Sequence, residues 1–199
     1  TIGQIFPYRM FDERIQALPF WMQLLLAVFL LDLFTYIRHR VMHIYLWRVH
    51  AIHHATHYIN WLTGARLHPV EVVIDIGFNL LVLHFIGFGG DGLAYAASIM
   101  FFFNLLAHSN LNLEWPGFLR YILASPNYHR WHHAKTETEA FDKNFIVVFP
   151  FIDVLFGTFY HPSRRLPKDY GIYQREGEVP IQSSLWGHLI YPIGVKSRN

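Results

Sequence analysis

From Leu18 to Ile37 the chain reads LPFWMQLLLAVFLLDLFTYI, 20 residues with one charge, and it passes without a break into Arg38, His39 and His43. A run this long and apolar is enough to cross a hydrocarbon core about 30 Å thick as a helix, so a spanning helix is expected over 18–37. Asp32, Tyr36, His39 and His43 fall at i, i+4, i+7 and i+11, one stripe on a helix that continues out of the bilayer. An ionisable residue inside such a helix is costly, which turns Asp32 toward the bundle interior. There it accepts the second N–H of a metal-ligating histidine or makes a structural hydrogen bond to a Tyr or Trp.

Two further apolar runs, 70–88 and 93–107, are separated by Gly89-Gly90-Asp91-Gly92 and read as a helical hairpin. No Lys or Arg occurs between Arg66 and Arg120, whereas both flanks are rich in them. By the positive-inside rule the segments 38–69 and 108–199 lie on the cytoplasmic side and the Gly-rich turn on the other. The expected fold is all-α: a single unit over 1–199, an integral membrane helical bundle whose cytosolic helical cap carries a histidine-rich dimetal site. Residues 1–17 read as an interfacial lead-in, Asn144 to Tyr160 as an amphipathic segment lying on the membrane surface, and the tail from His161 as part of the cap. No basic segment precedes a short apolar stretch, so no signal peptide is expected.

Composition agrees. Apolar residues make up 53% and charged residues 15%, against about a quarter charged in ordinary soluble domains. A formal net charge of +2 without a basic run gives no reason to expect a nucleic-acid partner. The lack of cysteine excludes disulfides, thiolate zinc sites, iron–sulfur clusters and a cysteine nucleophile.

Any metal is therefore held by nitrogen and oxygen, and histidine supplies the nitrogen. The imidazoles fall in three clusters: His39 and His43; His50, His53 and His54; His129, His132 and His133. Spacings of three and four put each cluster on one helical face. Eight such rings exceed the need of one ion, so two metals are inferred. The return helix of the hairpin brings His108 to the same level as a ninth ligand, with Asn104 one turn deeper, able to reach a metal directly or through water. His57 extends the second cluster by a turn, and Asp142 is a candidate support for a ligand. Ser125-Pro126 reads as the start of the helix bearing the third cluster. His68, before Pro69, is pushed out of helical geometry. His84 matches no spacing and reads as a buried or tunnel-lining residue.

What is missing narrows the metal. A zinc hydrolase would show the Glu base of His-Glu-x-x-His, but arginine follows His39. Soluble di-iron bundles use Glu-x-x-His pairs, and the chain has none. Imidazole suits iron, and the all-histidine set points to non-haem iron acting on dioxygen. A metal carrier, a membrane zinc hydrolase or isomerase, and a non-catalytic scaffold are the alternatives.

The order His-x-x-x-His, His-x-x-His-His, Asn-x-x-x-His, His-x-x-His-His resembles the fatty acid hydroxylase/sterol desaturase superfamily of integral membrane enzymes. Asp32 and Tyr36, Trp47 before His50, Arg66-Leu67-His68-Pro69 with Glu71, and Asp153 through Gly157-Thr158 are similar to it too. The resemblance runs from about Asp32 to Pro162. Some members carry histidine at the place of Asn104, and many have more membrane helices ahead of the first motif. It implies two Fe ions held by the nine histidines, O2 as co-substrate, and two electrons from a donor protein such as a ferredoxin, rubredoxin or b-type cytochrome. The implied reaction is hydroxylation or desaturation of an unactivated C–H on a lipid taken from the bilayer, in a bacterial inner membrane or endoplasmic reticulum. A sterol C-5 desaturase-like or C-4 methyl oxidase-like activity, or a non-oxidative metal-binding role, is the alternative.

Overall fold

A computed structural model describes residues 8–172 and 184–193. Parts of the expected lead-in (1–7) and of the expected tail (173–183 and 194–199) lie outside these residues. Among the described residues the protein is all-helical, without a β-strand, in the order α1 (Asp12–Gln16), α2 (Phe20–Tyr45), α3 (Trp47–His54), α4 (Pro69–Ile86), α5 (Gly90–Ala107), α6 (Pro126–His132), α7 (Phe151–Leu155) and α8 (Leu185–Ile190).

Helices α2, α4 and α5 are long and apolar enough to cross a membrane. They form the core, with α2 packed against both others. Ala27 on α2 and Ala96 on α5 are fully buried, and their small side chains let the backbones approach closely. The outward faces remain apolar, with Val73 72% and Phe102 60% exposed, as suits surfaces that meet lipid.

At 26 residues α2 is about 39 Å long, longer than the hydrocarbon layer. It runs beyond the expected end at Ile37, and its last turns carry His39 and His43 past the apolar zone.

The hairpin turn is tighter than the glycine run suggests. α4 ends at Ile86 and is capped by Gly87, whose φ of +123° is open to glycine alone at little cost. α5 already starts at Gly90, with Asp91 favourably placed in its first turn. α1 crosses this end, where Arg9 and Gln16 both donate to the Gly87 carbonyl, at 2.7 and 2.9 Å.

At the opposite end, α2 breaks at Leu46 into α3, and α6 begins on Ser125, whose hydroxyl accepts the Tyr128 N–H at 3.2 Å. The segment 144–150 corrects the expectation of a surface-lying amphipathic cap. Phe145, Ile146 and Val148 are buried, and only α7 and the residue after it present apolar side chains, such as Leu155, outward.

Two buried carboxylates explain how irregular backbone is held there. Asp153 accepts from the N–H groups of Phe145 (3.0 Å) and Ile146 (3.1 Å). Asp32 accepts from Val147 (2.9 Å), Val148 (3.1 Å) and Phe149 (2.6 Å). Five consecutive backbone donors thus end on two side chains, which satisfies groups that would otherwise be costly to bury.

Candidate metal centre

All nine expected histidines converge at this end of the bundle, in two adjacent groups. His39, His43, His50, His54 and His132 form one, and His53, His108, His129 and His133 the other, with ligand atoms in each lying within 4.8 Å of one another. The elements explain the convergence. α2 supplies the first pair, α3 the three of the second cluster, His108 caps the end of α5, and α6 with its cap supplies the last three. The groups abut, with the rings of His54 and His133 4.5 Å apart.

The hydrogen bonds fix how the rings face. Nδ1 donates to Phe145 O from His39 (2.8 Å), to Lys143 O from His132 (2.7 Å), to Asn104 O from His108 (2.8 Å), to Asp142 from His43 (2.9 Å) and to Glu71 from His50 (2.6 Å). A ring that donates from Nδ1 and is neutral offers its Nε2 lone pair inward. His39 Nε2 then meets His50 Nε2 at 2.9 Å, and His54 Nε2 meets the same atom at 3.2 Å. In the second group His108 Nε2 lies 3.2 Å from His53 Nε2 and 3.0 Å from His129 Nε2. Between His39 and His50 the facing atoms are both lone pairs, an arrangement suited to a shared cation. Metal–imidazole bonds are about 2.0–2.1 Å long, so nitrogens this close to each other lie within reach of one ion. Buried His43 Nε2, His132 Nε2 and both nitrogens of His133 find no hydrogen-bond partner among the described residues. The donors present therefore fit two borderline transition-metal ions.

Electrostatics favours the same state. Burial, then neighbouring rings, holds His50, His53, His54, His129 and His133 well below the ordinary 6.5. Burial does the same to His132, with His43 adding to it, and brings His108 down to about 4. Neutral imidazole is the ligating form.

The supporting residues divide. Asp142 accepts from His43 Nδ1 at 2.9 Å. Asp32 does not bond to a histidine ring. It holds 147–149 and so acts one step away, through the segment whose Phe145 carbonyl orients His39. His57 is exposed and outside both groups, because α3 stops at His54 and the helical face is not extended. Asn104 lies between Gly64 and His108. Its side chain donates to Gly64 O at 3.4 Å, and its carbonyl takes the His108 proton. His68 caps α4, and His84 is buried but does not line the cavity.

Glu71 and Asp153 stand in the sequence only as part of the family resemblance, without a role. By position alone Glu71, in the first turn of α4, is an ordinary helix-start carboxylate, and Asp153 is a break in an apolar run. The carbonyls of Lys143 and Phe145 leave no mark in side-chain identity at all.

A cavity of about 550 Å³ runs between α2, α4 and α5 and ends on His39 and His50 of one group and His53, His108 and His129 of the other. Its deeper wall includes Leu31, Leu83, Leu93 and Met100. A second cavity of about 450 Å³ reaches His43, His54 and His132 from another side, beside Trp47 and Asp142.

Three helices of membrane-crossing length, ending on two groups of buried imidazoles, define an integral membrane protein whose histidine clusters can hold metal. The family model for fatty acid hydroxylase matches residues 24–158, and the chain belongs to that family. It is 29% identical over 159 residues to ornithine lipid hydroxylase OlsE of Rhizobium tropici (77% of this chain, 46% of that protein). It is 27% identical over 181 residues to alkylglycerol monooxygenase of Caenorhabditis elegans (83% and 33%). It is 31% identical over 113 residues to very-long-chain aldehyde decarbonylase GL1-2 of Oryza sativa subsp. indica (53% and 17%). The chain thus spans less than half the length of these relatives. No solved structure matches it.

Proposed function

We propose that the chain is a lipid oxygenase that hydroxylates an unactivated C–H position of a lipid drawn from the bilayer, with two iron ions at the nine histidines, O2 as co-substrate and two electrons from a separate donor protein. The observation that carries this reading is the apolar cavity that ends on both histidine groups. Hydroxylation is preferred to desaturation because two of the relatives are named as a hydroxylase and a monooxygenase.

His39, His43, His50, His54 and His132 would hold one ion, and His53, His108, His129 and His133 the other. When bound, the irons supply dioxygen activation and the oxidising power to cleave a C–H bond. The protein's own part is positional. Leu31, Leu83 and Met100 hold an alkyl chain and keep water out. The carbonyls of Lys143, Phe145 and Asn104, with Glu71 and Asp142, hold protons on Nδ1 so that Nε2 stays free. The charge pattern supports a cytoplasmic position for this end, in a single unit with its cap over 38–69 and 108–199, within reach of the electron donor.

The test is lipid mass spectrometry of cells grown under heavy-isotope dioxygen. Cells carrying the chain should yield a lipid hydroxyl bearing the heavy oxygen, and cells carrying His132→Ala should not. A lipid profile unchanged by the wild-type chain, in the presence of a competent reductase system, would refute the reading.

A further inference from the structure

The wall of the long cavity is not uniformly apolar. On α4, Glu71, Asp75 and Asn79 recur every fourth residue, so they share one face over two helical turns, about 12 Å of rise. All three line the cavity, together with Arg38 of α2. Arg38 Nη2 pairs with Asp75 Oδ1 at 2.9 Å, and Asn79 Nδ2 donates to the same oxygen at 3.1 Å. Glu71, nearest the histidines, takes the proton of His50 at 2.6 Å. A polar seam therefore starts at the metal centre and descends into a slot otherwise walled by Ile76, Leu80 and Leu83.

The seam has hydrogen-bonding capacity to spare. Glu71 Oε2, Asn79 Oδ1 and Arg38 Nε are buried without a partner among the described residues. Polar atoms in an apolar wall are costly unless something meets them, and ionisable residues within a spanning helix mark a site more often than a support. A slot for a bare alkyl chain has no use for two acceptors and a donor.

We propose that this seam binds the polar linkage of an amphiphilic lipid, with a secondary amide as the best match: its N–H to Asn79 Oδ1, its carbonyl to Arg38 Nε–H. The alkyl chain continues toward Leu83 and Leu93, so the carbon presented to the histidines lies near the polar group rather than at the chain's far end. The inference rests on the lipid-oxygenase reading and adds to it a substrate class and a region of attack.

The experiment compares two probes of matched length, N-methylhexadecanamide and octadecane, offered together to the protein in lipid nanodiscs. Retention above that of empty discs is measured by mass spectrometry. The wild-type chain should favour the amide about tenfold, the worth of one to two hydrogen bonds. Asn79→Leu, which leaves the histidines and the Arg38–Asp75 pair in place, should reduce that to about twofold, while Asn79→Gln, which keeps an acceptor, should retain most of it. Equal retention of both probes by the wild type overturns the inference and leaves the lipid reading standing, and this arm requires no variant. Full preference in Asn79→Leu also overturns it. Retention of neither probe removes the lipid reading and the inference together.

Discussion

Glu71 accepts the Nδ1 proton of His50 at 2.6 Å, and the two residues are 1% and 2% exposed. The bond ties the first turn of a spanning helix to the short helix that carries three of the nine rings. Removing such a support typically costs about 10–100-fold in metal affinity. Glu71→Ala should therefore lose metal to a chelator at correspondingly lower concentration, whereas Glu71→Gln, whose amide oxygen still accepts, should hold it nearly as well as wild type. Equal affinity in Glu71→Ala would reduce the residue to packing.

Asp32 makes a different prediction, because its partners are backbone donors. Asp32→Ala strands the N–H groups of Val147, Val148 and Phe149, at about 1–3 kcal/mol for each buried donor left unmet. A loss of at least about 3 kcal/mol in an unfolding titration is expected, with Asp32→Asn intermediate. Wild-type stability combined with lost metal would instead show that the carboxylate serves a histidine directly.

Gly64 lies against the second histidine group. A Cβ there would sit 2.7 Å from Asn104 Nδ2 and 2.9 Å from His108 Nδ1, whereas at Gly77 nothing lies within 4 Å. Gly64→Ala should displace His108 and lower metal occupancy, while Gly77→Ala should leave occupancy at wild-type level. The pair of variants, assayed by elemental analysis, separates crowding at the site from any general effect of alanine in place of glycine.

The pH dependence of the chelated, metal-free protein follows from the buried rings. His108 is held at about 4 in the folded chain, against about 6.5 when unfolded. Between those values the unfolded chain binds more protons, so stability is full above about pH 6.5 and falls as the pH drops toward 4. His108 alone accounts for about 3 kcal/mol of that fall. Asp153, raised by burial, pulls the other way at the acid end. Melting temperatures flat from pH 7 to 4 would contradict the assigned neutral state.

The part of this site that could be read in the sequence is the part that obeys helical periodicity. His39 with His43, His50 with His53 and His54, and His129 with His132 and His133 lie where spacings of three and four put them. The return of His108 follows from the hairpin. Periodicity cannot see where a helix stops: it carries the histidine face on to His57, whereas the helix ends at His54. Nor can it see pairings across the fold: Asp32 meets Val147 and Val148 from 115 and 116 residues away. The burial of 145–148, next to the exposed apolar side chains of α7, likewise depends on two aspartates distant from most of their backbone donors. The cavity and its polar seam arise only once α2, α4 and α5 are packed.

Metal stoichiometry tests the central claim most directly. Purified protein reconstituted anaerobically with ferrous iron and freed of excess should hold about two ions per chain by elemental analysis. His50→Ala, in the first group, and His129→Ala, in the second, should each fall toward one. A wild-type chain that saturates at a single ion, or two variants that keep the full complement, would contradict the two-centre account.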